Sequence, residues 1–122
     1  MSFKEGMEFK IRLKPKDDAD SFSINFGHDS DNIALHFNPR FNENVIVCNS
    51  MSGGSWGDEH REATLPFSRG EECKFHVNFT MEHFFIKLPD GSTISFPNRL
   101  GDVKYKDFNI FGDARIVGIR IK

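Results

Sequence analysis

Between positions 36 and 61 the chain collects side chains that hydrogen-bond in fixed directions. His36, Asn38 and Arg40 stand in HFNPR, Asn49 in IVCNS, and Trp56, Glu59 and Arg61 in WGDEHRE. On an extended strand, residues two apart share a face, so His36, Asn38 and Arg40 form a row repeating every ~6.6–6.8 Å. That repeat is close to the size of one pyranose ring. Glu59 accepts hydrogen bonds and Arg61 offers a rigid fork of donors. With Arg40 they can interleave into a charge network whose benefit is orientation rather than stability. Trp56, the only tryptophan, follows Ser52-Gly53-Gly54-Ser55 and supplies a flat apolar wall. A ligand with an apolar face and a hydroxylated edge would use both kinds of group, and a sugar is such a ligand.

Each residue alone has a plainer explanation. A single histidine on a strand is usually structural, Asn38 before Pro39 can cap a turn, and a Glu59–Arg61 pair at a surface contributes ~0–1 kcal/mol. The set in this order is what points to a site. His28, His60, His76 and His83 carry no such pattern and are read as surface or strand residues. A glycosidase is the competing chemistry, since Asp58, Glu59 and Glu62 lie close together. It would need two carboxyl groups about 5–9.5 Å apart flanking the bond. Glu59 and Glu62 point to opposite faces of a strand, and Glu59 beside arginines is set to accept rather than donate a proton. The expectation is a binding protein and not an enzyme.

The elements that must position these groups are strands. EFKIRLK alternates Phe9, Ile11 and Leu13 with Lys10, Arg12 and Lys14; SFSINFG does the same with Phe22, Ile24 and Phe26; CKFHVNFT does so with Phe75, Val77 and Phe79. FFIKL and STISF flank Pro89-Asp90-Gly91, a hairpin signal. RIVGIRIK is expected to close the chain with Val117, Ile119 and Ile121 on one face. In NIALHFNPR the same rule turns Ile33, Leu35 and Phe37 inward and His36, Asn38 and Arg40 outward. No window carries a helical stripe. Short strands separated by Gly, Pro, Asn and Asp, with 14 phenylalanines to fill a gap between sheets, predict an all-β sandwich of two antiparallel sheets.

Composition narrows the function classes. A chain of 122 residues makes one domain, 1–122, able to bury its own core. The net charge is -2, and no basic or acidic run dominates a segment, which argues against nucleic acid or an anionic membrane as partner. No apolar run is long enough for a membrane span, and MSFKEGMEFK has no signal-peptide core. Cys48 and Cys73 match no metal-ligand spacing and read as two reduced thiols.

HFNPR, IVCNS (46–50), WGDEHRE and LPFSRG (65–70) together resemble the carbohydrate-recognition domain of a galectin. LPDG (88–91) and FPNRLG (96–101) resemble the later strands of its single-domain, prototype members. The resemblance implies a jelly-roll sandwich that binds β-galactosides, such as lactose and N-acetyllactosamine on glycoproteins or glycolipids, with no calcium, other metal or cofactor. It implies that His36, Asn38 and Arg40 meet the galactose 4-hydroxyl and its neighbours. Asn49 and Glu59 would meet the 6-hydroxyl, Trp56 would stack on the ring, and Glu59 and Arg61 would reach a second sugar. It further implies cytosolic synthesis, export to the extracellular space without a signal peptide, and a homodimer built on terminal strands. Two departures bear on this. FNENV between the first two binding strands is short and lacks a ligand-contacting histidine that some prototype members carry there. The opening MSFKEG falls near where the family's first strand ends, so the homodimer does not follow automatically. The alternative is a protein-binding or structural module with weak or altered sugar specificity.

Overall fold

Apolar residues at every second position can be buried only if each strand lies flat against something, and two sheets facing each other are the solution this chain adopts. The computed structural model describes residues 2–122. Its strands are β1 (Phe3–Lys4), β2 (Glu8–Pro15), β3 (Phe22–Asp29), β4 (Asn32–Arg40), β5 (Val45–Ser52), β6 (Ser55–Trp56) and β7 (His60–Glu62). They continue with β8 (Cys73–Phe79), β9 (His83–Lys87), β10 (Thr93–Pro97), β11 (Lys104–Tyr105), β12 (Asp107–Gly112) and β13 (Ala114–Ile121). One sheet has the order β10-β9-β8-β2-β13 and the other β12-β3-β4-β5-β6, with β7 also paired to β5; β1 and β11 form a short ribbon. Every pairing is antiparallel. This is the jelly-roll sandwich.

The core lies between the sheets. Phe9, Ile11 and Leu13 of β2 face Phe22, Ile24 and Phe26 of β3 and Leu35 and Phe37 of β4, all buried. Phenylalanine rings meet edge to face here: Phe9 and Phe26 stand 4.9 Å apart at 86°, Phe3 and Phe79 4.9 Å apart at 72°. Burial of each such side chain contributes about 1.5–3 kcal/mol. Cys48 on β5 is buried and Cys73 on β8 half-buried. Desolvation pushes both thiols up to about 12, so they stay protonated.

One expected alternation fails. In β13 the register shifts between Ile116 and Gly118, so one extra residue enters the strand. Val117 is the residue thrown out of line, while Ile116, Ile119 and Ile121 stand on the core side opposite Leu13, Ile11 and Phe9. Ile116 and Ile121 pack against the core, but on this edge strand Val117 and Ile119 are exposed. Together with Phe111 at the end of β12, they leave apolar groups along the open edge where the chain passes from one sheet to the other.

Candidate functional site

The outward face of the six-stranded sheet carries the polar row, and pairing register extends it across four strands. Asn109 of β12 lies opposite Asn25 of β3, Asn25 opposite His36 of β4, and His36 opposite Asn49 of β5. Asn25 donates from Nδ2 to Asn109 Oδ1 at 2.8 Å, which leaves its own Oδ1 as the acceptor 2.6 Å from His36 Nδ1. Desolvation, reinforced by the nearby Arg40 charge, lowers the His36 pKa to about 4. The ring is thus neutral at ordinary pH. Its Nδ1–H donates to Asn25, and Nε2 keeps a lone pair for a hydroxyl donor.

Asn38 and Asn49 are nearly buried and do two things each. Asn38 donates to the Phe22 carbonyl at 2.8 Å while its oxygen accepts from Arg40 Nε at 2.8 Å. Asn49 donates to the Gly57 carbonyl at 3.0 Å, and its oxygen accepts from the Ser50 N–H at 2.8 Å and Arg99 Nη1 at 3.2 Å. Each side-chain amide keeps one N–H free of these bonds.

The expected charge network exists and has a fourth member. Arg40 Nη1 donates to Glu43 Oε2 at 3.1 Å, Arg61 Nη1 to Glu43 Oε1 at 3.4 Å, and Arg61 Nε to Glu59 Oε1 at 3.0 Å. Arg40 Nη2 stands 3.8 Å from Glu59 Oε2 and closes the ring of alternating charge. The two arginines hold the Glu43 carboxyl below its usual range, and Glu59 and Glu43 in turn raise Arg61. Glu43 comes from the turn between β4 and β5, where Asn44 adopts φ 57°. The short FNENV connection thus supplies a carboxylate at the centre of the network.

Trp56 reaches the site by a two-residue hairpin. Gly53 and Gly54 have φ 58° and 82°, the left-handed geometry that a tight turn between twisted strands needs, and β6 then pairs back onto β5. The indole is half-exposed, its ring 4.8 Å from that of His36 at 57°. Beside them opens a hollow of about 370 Å³, lined by His36, Arg40, Asn49, Trp56 and Glu59, with Val47 in its wall. Gly57 also lines it, and an added Cβ there would fall 2.8 Å from Arg99 Nη1, so any side chain would push that guanidinium aside.

All seven residues singled out from the sequence therefore lie in one region, but not in equal positions. Five line the hollow; Asn38 lies under Arg40, and Arg61 stands beyond Glu59. Glu59 is not on a strand with Arg61 as expected. It lies just ahead of β7, because pairing with β5 begins only at His60, opposite Cys48. Asn25, Glu43 and Arg99 escaped the sequence reading. Asn25 looked like one more polar residue in an alternating strand, and only FPNRLG, with an arginine between Asn98 and Leu100, hinted at the third. Among the described residues no group of three or more His, Cys, Asp or Glu side chains is placed to hold a metal ion.

A galactoside-binding lectin family model matches residues 1–121. Human galectin-2 is 44% identical over 122 residues, covering all of this chain and 92% of its own length. The chicken galectin 2 structure superposes with a TM-score of 0.97 at 42% identity, covering 100% of this chain and 94% of that one. A congerin II structure liganded by lactose and MES gives 0.96 at 34% identity, covering 100% and 95%.

Proposed function

The chain belongs to the galactoside-binding lectin family, the galectins, and from that premise we propose that it is a non-catalytic lectin binding terminal β-galactose of lactose-type glycans in the Trp56 hollow. What supports this most is the pairing of one exposed aromatic wall with donors and acceptors held before any ligand arrives. Trp56 covers the apolar C–H face of the ring. Neutral His36 Nε2 accepts from a hydroxyl, and Arg40, oriented by Asn38 and Glu43, donates to the galactose 4-hydroxyl and its neighbours. Asn38 offers its remaining N–H. Asn49, through its own free N–H, and Glu59 serve the 6-hydroxyl, while Glu59 and Arg61 extend toward the second sugar. A polar ligand in so open a hollow keeps water on one side, so affinity per site is modest.

Calcium independence follows from a donor set made of side-chain amides, guanidinium groups and an imidazole, which bind hydroxyls directly. Two copies joined along the open β12–β13 edge, where Phe111, Val117 and Ile119 are exposed, would present two sites and cross-link glycoconjugates by avidity. We place synthesis in the cytosol and action on extracellular glycans. The test is a lactose titration by calorimetry with calcium chelated, beside Trp56→Ala. Saturable heat in the parent and none in the folded variant is the expected result. No heat in the folded parent overturns the proposal and turns the search to other glycans or to protein partners. Sedimentation across a concentration series tests the dimer; a single monomer mass throughout rejects it.

A further inference from the structure

The face of the five-stranded sheet that points away from the core carries a pattern of its own. β2 places Lys10, Arg12 and Lys14 there, alternating with buried Phe9, Ile11 and Leu13. Register then sets a like charge directly opposite each one: Arg120 of β13 opposite Lys10, Lys74 of β8 opposite Arg12, and Arg115 of β13 opposite Lys14. His76 of β8 is Lys10's other neighbour, and Lys87 of β9 lies opposite His76. Paired strands lie ~4.8 Å apart and same-face residues ~6.7 Å apart, so these groups form a grid of positive charge. A groove of about 300 Å³ runs among Arg12, Lys74 and Arg120. Its floor is open at Gly118, opposite Arg12, where an added Cβ would meet nothing within 4 Å.

Like charges directly opposite one another destabilise a sheet, and three such pairs occur here in a chain whose net charge is -2. The carboxylates that reach the grid are few. Glu8 lies 3.3 Å from Lys10 and 3.4 Å from His76, and Glu72 lies 3.5 Å from Arg12. Among the described residues no carboxylate comes within 4.0 Å of Lys14, Lys74, Lys87, Arg115 or Arg120. Blunting an exposed edge would account for charges on β13 only, since β2 and β8 are inside the sheet. Stability therefore does not explain the array, whereas a partner of opposite charge would.

We propose that this face binds a linear sulfated polysaccharide, laid across β8, β2 and β13 with its anionic groups over the opposed cations. The shape selects among polyanions. No Phe, Tyr or Trp side chain lines the groove and His76 is its one ring, so successive bases of single-stranded nucleic acid find no run of platforms to stack on. A groove with side-chain walls suits a chain rather than a bilayer plane. Asp17 and Asp18 stand beside Lys14 and Arg115 and end the track on that side. Because the Trp56 hollow is on the other sheet, both ligands can be held at once.

The test uses the full chain, immobilised heparin as the probe, and saturating lactose throughout. Heparin binding is expected to survive lactose and to weaken at least tenfold or so between about 50 and 200 mM salt. Gly118→Glu, which enters open space without backbone strain, and Lys74→Glu are each expected to weaken heparin binding at least about tenfold. Neither should change the lactose titration or the melting temperature by comparable amounts. The proposal is overturned by absence of heparin binding, by its release with lactose, or by folded variants that bind as well as the parent. Equal or tighter binding to phosphatidylserine vesicles or single-stranded DNA would reassign the surface. Lactose heat is read in the same samples, so failure of this proposal and failure of the galactoside reading are separate results.

Discussion

The two outward sheet faces use arginine in opposite ways. On the six-stranded sheet, Arg40 and Arg61 alternate with Glu43 and Glu59, and each guanidinium has two carboxylate partners. On the five-stranded sheet, Arg12 lies opposite Lys74 and Arg120 opposite Lys10; of these two arginines Arg12 alone has a carboxylate partner, Glu72. A ring of alternating charge fixes where donors point and contributes little net field, which suits a small neutral ligand that must be read hydroxyl by hydroxyl. A block of one sign gives field without geometry, which suits a long anion that needs only to be attracted. The same residue type thus serves recognition on one face and attraction on the other.

The largest expected effect lies on the recognition face. Arg40→Ala removes the donor and leaves Arg61 as the one cation shared by Glu43 and Glu59, so lactose affinity should fall on the order of a hundredfold, about 2.7 kcal/mol. Calorimetry on a variant with an unchanged melt checks this; affinity within threefold of the parent would mean that the arginine does not touch the sugar.

His36 gives the next effect and a pH signature. Its pKa is about 4 in the folded chain against 6.5 for an unperturbed histidine. The unfolded chain therefore binds a proton between those values that the native state does not, so stability falls as pH drops from about 6.5 to 4. The loss approaches roughly 3 kcal/mol. Denaturant melts of the parent against His36→Gln should diverge across that window, with the variant flatter. Parallel curves would mean that His36 takes up its proton in the native state over the same pH range as in the unfolded chain.

A smaller loss is expected from Glu43→Gln, which loosens Arg40 and Arg61 without touching the ligand. Lactose should bind about three- to tenfold more weakly, chiefly through faster dissociation, while Gly57→Ala should produce a similar loss by displacing Arg99. Unchanged dissociation in Glu43→Gln would show that Asn38 alone orients Arg40. The smallest effect sharpens the other side of the comparison. Lys74→Glu converts a like-charge pair with Arg12 into an opposite-charge pair and should raise stability by a few tenths of a kcal/mol, less at high salt. A decrease would remove the argument that the grid works against the fold.

Much of this was legible in one dimension. The alternation in EFKIRLK, SFSINFG and NIALHFNPR assigned Phe9, Phe26 and Phe37 to the core because a strand's two faces are set by parity alone. The same parity put His36, Asn38 and Arg40 on one outward row. Parity fails where the count changes, and β13 shows it: one inserted residue before Gly118 puts Val117 out of line with Ile119 and Ile121 and brings Ile116 to their face, although the letters alternate. Glu59 escaped for a similar reason, since the residue at which β7 begins to pair is decided by β5.

What the sequence by itself determined is the fold class, the core and the identity of the groups that surround Trp56, all of which follow from side-chain periodicity and local turn chemistry. What only the tertiary structure decided is which groups from distant strands become neighbours. Asn25 on His36 and Lys74 opposite Arg12 are relations of register, and Glu43 between two arginines and Arg99 on Asn49 are contacts made by turns, with partners 18 to 62 residues apart in most cases. No basic run appears in the chain, yet a basic face exists, because strand pairing sums charge across strands and a linear reading sums it only along them.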